Sequence, residues 1–188
     1  HKEFGEAVAV LTGDALLTYS FEVLTDGEAD LVVPYWTKTL AKAGGAEGMI
    51  HGQLLDIGSC EDKLSLEELE LMHHKKTGAL FSASVELVTA LKPDQSFPDL
   101  RLFAEHLGLC FQIKDDLLDV KGNPKITGKP SGSDEKNNRS TFVSVLGEGE
   151  AKRRLETELQ LSLACLQRVR GDTSNLENLA KLIATRSN

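Results

Sequence analysis

The residues best suited to chemistry lie in one short run, Phe111-Gln112-Ile113-Lys114-Asp115-Asp116-Leu117-Leu118-Asp119. On a helix, spacings of three and four make positions 112, 115, 116 and 119 neighbours. Gln112 then stands beside three carboxylates. Two carboxylates about 4–5 Å apart repel by about 1 kcal/mol in water and several times that in a cleft. A hard cation with oxygen ligands relieves the repulsion. Mg2+ suits the pattern, because it takes one or two carboxylates, keeps waters and shares phosphate oxygens. The plain alternative is a solvated acidic face. Phe111, Ile113, Leu117 and Leu118 around the acids predict instead a largely buried helix.

Cations follow the acids. Gly128-Lys129-Pro130-Ser131-Gly132-Ser133-Asp134 sets a lysine among small residues, and Arg139, Ser140 and Thr141 come after it. Lysine is a point charge suited to phosphate, and arginine offers a planar donor fork. Any one such lysine could equally be a solvated surface residue. Beside an acid cluster, a cationic loop complements a metal–diphosphate pair.

Two further runs stand out. His73-His74-Lys75-Lys76-Thr77-Gly78 lies in mid-helix, where Gly78 costs about 1 kcal/mol relative to Ala, so a kink or a close ligand is expected there. Adjacent histidines are poorly placed as a helical zinc pair, and His73 and His74 are expected to face solvent. In Gly52-Gln53-Leu54-Leu55-Asp56, Gln53 and Asp56 share a helix face. Such a pair alone is ordinarily a surface hydrogen bond.

Helices must position these groups. Apolar residues at 4, 7, 8 and 11 begin a helical period that runs to about Leu24. A second helix is expected from near Pro34 to Gly44-Gly45, and a third from Met49 to Ile57. Ser65-Leu66-Glu67-Glu68 reads as a capping box opening a long helix to about Leu91. The acid run lies on a helix from near Pro98 to about Val120. Residues 121–139 read as a loop, and helices resume near Ser140 and over 149–170. Ser174-Asn175-Leu176-Glu177 reads as a capping box for a terminal helix. No strand alternation, repeat or linker is evident, so residues 1–188 are expected to form one all-α domain.

The 188 residues suffice for a core, and 40% are hydrophobic. A net charge of -8 and a pI near 5.2 argue against a general nucleic-acid or membrane-surface binder. Cys60, Cys110 and Cys165 are scattered, which suits a reducing compartment and structural thiols. No signal peptide and no apolar run of about 20 residues is apparent, so a cytoplasmic chain without a membrane span is expected. No Ser/His/Asp or Cys/His arrangement competes with the acid run.

Taken in order, these segments resemble the trans-isoprenyl diphosphate synthases, most closely the bacterial short-chain farnesyl type. The likeness rests on His1-Lys2-Glu3-Phe4-Gly5-Glu6, Gly13-Asp14-Ala15-Leu16-Leu17, Gly52 to Asp56, Lys76-Thr77-Gly78-Ala79-Leu80, Phe111 to Asp119, and Gly128-Lys129 through Thr141. The resemblance implies an isoprenoid-synthase helical bundle around a central cleft and a homodimer. The implied reaction is Mg2+-dependent condensation of isopentenyl diphosphate with dimethylallyl or geranyl diphosphate, giving farnesyl diphosphate.

The resemblance also implies residue roles. Asp115, Asp116 and Asp119 would be the second aspartate-rich motif, with Asp115 nearest the metal and Asp56 reaching it through water. Lys76, Lys129 and Arg139 would hold the allylic diphosphate, with Gln53 supporting that site. Arg139 stands where the family more often has Lys. Thr77 and Gln112 would face the reacting carbon. The family's first aspartate-rich motif and most of its isopentenyl diphosphate ligands would precede His1, making this the C-terminal portion of a synthase domain. The alternatives are a geranylgeranyl or longer-chain synthase and a catalytically silent regulatory subunit.

Overall fold

The computed structural model describes residues 1–26, 31–59, 63–92, 97–121 and 139–187. Among them the regular structure is helical: α1 (Glu6–Thr25), α2 (Val33–Gly44), α3 (Met49–Gly58), α4 (Leu66–His73), α5 (Ala79–Thr89), α6 (Phe97–Lys121), α7 (Phe142–Leu146), α8 (Glu148–Leu166) and α9 (Ser174–Thr185). A π-helical turn, His74–Gly78, joins α4 to α5 without a break. The expected long helix from Ser65 is therefore present, with its irregularity where Gly78 pointed.

Helix α6 is the spine. Its Phe103, Leu107 and Cys110 are buried with Leu159, Cys165 and Leu166 of α8 and Ala180 and Ile183 of α9. One turn further on, Ile113 and Leu117 are buried with Leu69 and Met72 of α4, Phe142 of α7 and Ala151 of α8. Burying one such Leu, Ile or Phe contributes about 1.5–3 kcal/mol. Glu158 of α8 is buried and lies 2.7 Å from His106 of α6, joining the two longest-packed helices by a polar contact. Burial pushes the Cys110 thiol up to about 12, as befits a structural cysteine.

Local signals explain the helix ends. The Ser65 box is complete: the Glu68 N–H donates to Ser65 Oγ, and the Ser65 N–H donates to Glu68 Oε2 at 2.9 Å. The box expected at Ser174 is displaced. Thr173 is the N-cap of α9, and Asp172 Oδ1 accepts from the Ser174 N–H at 2.9 Å. A capping box of Thr141 and Ser144, not among those expected, opens α7. Gly147, with φ of 78°, turns the chain from α7 into α8 where a side chain would be strained.

Two expectations fail. His73 does not face solvent: it is buried, stacked on Phe142 with ring centroids 5.3 Å apart. Burial, with Lys76 nearby, lowers its pKa from 6.5 to about 3. Adjacent helix positions differ by about 100° in direction, so His73 turns inward while His74 stays exposed. The second is that no apolar run of about 20 residues would occur, a matter of length and composition that bears on membranes. By length and composition α1 is apolar enough to cross one, with a hydropathy of 1.4, and none of its residues is buried.

Candidate active site

The C-terminal turns of α6, the π-turn and α3 form the walls of the site. Asp56, on α3, is 4% exposed and holds Lys76 Nζ at 2.6 Å. Arg139 Nη2 lies 3.9 Å from the same carboxylate oxygen. Two cations expected from their types alone thus meet at one buried acid. Gln53 is half-buried on α3, three residues before Asp56.

Thr77, next to Lys76, turns toward α6. Its hydroxyl donates to Gln112 Oε1 at 3.4 Å, and Gln112 Nε2 donates to Asp116 Oδ1 at 3.1 Å. The chain of hydrogen bonds ends in the backbone, where the Phe142 N–H donates to Asp116 Oδ2 at 2.7 Å.

The acid run does not converge as its spacing suggested. Asp116 is buried, 3% exposed, and is engaged by Gln112 and by the start of α7. Asp115 points elsewhere, pairing with Arg186, and its side chain is 44% exposed. Consecutive helix residues diverge by about 100°, whereas Asp115 and Asp119, four apart, share a side. Among the described residues no group of three or more His, Cys, Asp or Glu side chains forms a metal cage. The donors fit Mg2+ in another way. Asp115 and the half-buried Asp119 set carboxylate oxygens on one side of α6, the ligand type that Mg2+ takes together with water and phosphate oxygens.

Arg186, which lies just past α9, was not among the candidate residues. Its guanidinium sits over the Phe111 ring, 4.2 Å from the centroid, and donates to the Phe111 carbonyl at 3.2 Å. Burial and the neighbouring Arg186 charge push the Lys114 ammonium below its ordinary value. Asp115 therefore stands in a local field of cations. Lys129 lies outside the described residues.

Behind Lys76 and Thr77 runs a cavity of about 660 Å3. Leu80, Ser84 and Val88 line it from α5, Phe103 and Leu107 from α6, and Leu176 from α9. From Thr77 to Val88 the lining follows about 16 Å of helix. The cavity thus has Lys76 and Thr77 at the π-turn and a mostly apolar lining beyond it.

The family profile for polyprenyl synthetase matches residues 1–182. The farnesyl diphosphate synthase of Geobacillus stearothermophilus is 39% identical over 193 residues, covering 99% of this chain and 65% of that protein. Geranylgeranyl pyrophosphate synthase 11 of Arabidopsis thaliana is 36% identical, covering 100% of this chain and 56% of that protein. A crystal structure of a Helicobacter pylori geranyltransferase, complexed with magnesium and isoprenyl diphosphate, superposes with a TM-score of 0.82 at 34% identity. That likeness covers 97% of this chain and 61% of the other. The chain thus spans 65% of the length of the Geobacillus relative.

Proposed function

The chain belongs to the polyprenyl synthetase family, and we propose that it carries one catalytic wall of an enzyme that makes farnesyl diphosphate. The substrates are isopentenyl diphosphate and an allylic diphosphate, dimethylallyl or geranyl. One observation carries this reading: Lys76, held by Asp56 with Arg139 nearby, and Thr77, bonded to Gln112, line one end of a mostly apolar cavity. A ligand with an anionic head and a hydrocarbon tail matches that division. The relatives named farnesyl diphosphate synthase support the same substrate class.

In this reading Lys76, Arg139 and Lys129 bind the allylic diphosphate, with Gln53 beside them. Asp115 and Asp119 would hold Mg2+, with Asp56 supporting it through water, and Asp116 keeps Gln112 in place. Bound Mg2+ supplies charge stabilisation for the departing diphosphate. As the allylic C–O bond breaks, Lys76 meets the negative charge growing on the leaving oxygen. Thr77 and Gln112 present oxygen atoms to the positive charge growing on carbon. The alkene of isopentenyl diphosphate forms the new C–C bond, and the proton it loses leaves with diphosphate. The apolar lining excludes water, which would otherwise capture the cation.

The proposal includes a cytoplasmic location, supported by the scattered cysteines, and a homodimer, supported by the exposed Val8, Leu11, Leu16 and Leu17 of α1. It treats residues 1–188 as part of one synthase domain. A longer product is the second reading, favoured by the likeness to a geranylgeranyl pyrophosphate synthase. Product analysis after incubating the full-length protein with geranyl and labelled isopentenyl diphosphate tests both. Farnesyl diphosphate formed with Mg2+ and lost with EDTA is expected. A C20 or longer main product supports the second reading, and no prenyl product under any condition refutes both.

A further inference from the structure

Helix α3 meets the π-turn at Gly52, which is buried in a helix interior where Ala would be favoured by about 1 kcal/mol. Its surroundings give the reason. A Cβ placed on Gly52 would stand 2.1 Å from Lys76 N, 2.5 Å from its Cα and 2.7 Å from its Cβ. Rotating a side chain cannot relieve contacts with backbone atoms, so the helix or the turn would have to move. Across the turn, a Cβ on Gly108 of α6 would stand 3.2 Å from Gly78 Cα. A π-turn holds one residue more than the α-turn it replaces, and its backbone bulges. Glycines from two helices therefore receive that bulge.

The same face of α3 carries Asp56, one turn beyond Gly52, with its carboxylate 2.6 Å from Lys76 Nζ. One helix face thus holds both ends of the lysine: Gly52 admits its backbone, and Asp56 fixes its ammonium. We propose that Gly52 is a positioning residue for Lys76, setting the depth at which the π-turn seats against α3 and so the point that the ammonium reaches. This rests on the reading of Lys76 as a diphosphate ligand. Any side chain at 52 pushes α3 away from the turn and takes Asp56 with it.

The test measures, for the full-length protein, affinity for inorganic diphosphate with Mg2+ by calorimetry and thermal unfolding by circular dichroism. Gly52→Ala is expected to weaken diphosphate binding at least about tenfold, the loss of one charged contact. Gly108→Ala, a milder intrusion, is expected to weaken it several-fold with Tm close to wild type. Deleting Lys75 removes one residue from the π-turn and lets the helix run on as α. In that background Gly52→Ala should cost little further stability, whereas in the wild-type background it lowers Tm clearly or prevents folding. A Gly52→Ala protein that binds diphosphate as wild type does overturns the proposal. So does an equal loss of Tm in both backgrounds. Should wild type bind no diphosphate, the functional reading fails, and the Tm coupling alone still decides whether Gly52 seats the turn.

Discussion

The two charged walls of the site are built on opposite principles. On the α3 side, groups remote in sequence converge: Asp56, Lys76 and Arg139 meet around one buried carboxylate. On the α6 side, neighbours in sequence part: Asp115 reaches Arg186 at the surface, and Asp116 turns in to the Phe142 N–H. A pair of identical residues thus divides into one group paired with Arg186 and half-exposed, and one that ties α6 to α7. A motif letter does not assign a role; the direction that the helix gives it does.

The sharpest way to break that contrast is to remove each aspartate in turn. Asp115→Ala in the full-length protein should lower turnover at least about 100-fold, a loss of about 2.7 kcal/mol of transition-state stabilisation, with unfolding in urea near wild type. Asp116→Ala should instead cost about 1–3 kcal/mol of stability, because the buried Phe142 N–H loses its acceptor. Equal stability losses in the two variants would erase the distinction. On the α3 wall, Lys76→Ala removes a charged contact to the ligand head, worth about 1.5–3 kcal/mol. The allylic substrate's KM should rise by at least tenfold, and an unchanged KM would take Lys76 out of the site.

His73 lies against both walls, between Lys76 and Phe142, and sharpens the comparison through pH. Its imidazole stays neutral in the folded protein down to about 3, from an ordinary 6.5. The unfolded chain binds that proton first, so stability is lost as pH falls below 6.5. At pH 5 the contribution reaches about 2 kcal/mol. Replacing His73 by Leu should flatten that part of the stability profile, measured by urea unfolding from pH 7 to 5. A slope unchanged in the variant would show that the imidazole is not held neutral.

The smallest expected effect is at Thr77, whose hydroxyl bonds to Gln112 and not to the preceding helical turn. Thr77→Val should lower kcat several-fold and leave the allylic KM near wild type. A shifted KM with unchanged kcat would make the hydroxyl a ground-state contact.

How far the sequence could be read follows from the range of each interaction. Helices were legible because capping and periodicity act within a few residues, as at Ser65 and along α6. The flaw at Gly78 was legible because glycine is costly in a helix, but its cause was not: the close neighbour is Gly108, thirty residues on. The candidate residues were legible by type, and Lys76 with Asp56 came together. That Asp115 and Asp116 diverge follows from the step of about 100° between helix neighbours, but which of them turns inward was hidden, because it depends on where α7 docks. Arg186 was hidden for the same reason, since only the packing of α9 against α6 brings it to Asp115.

A crystal structure of the full-length protein with Mg2+ and a non-hydrolysable allylic diphosphate analogue tests the assignment most directly. The account predicts a Mg2+ ion about 2.0–2.1 Å from an Asp115 oxygen, Lys76 Nζ on the diphosphate, and Asp116 still accepting the Phe142 N–H. A metal held by Asp116 with Asp115 left on Arg186, or a diphosphate bound away from Lys76, would contradict it.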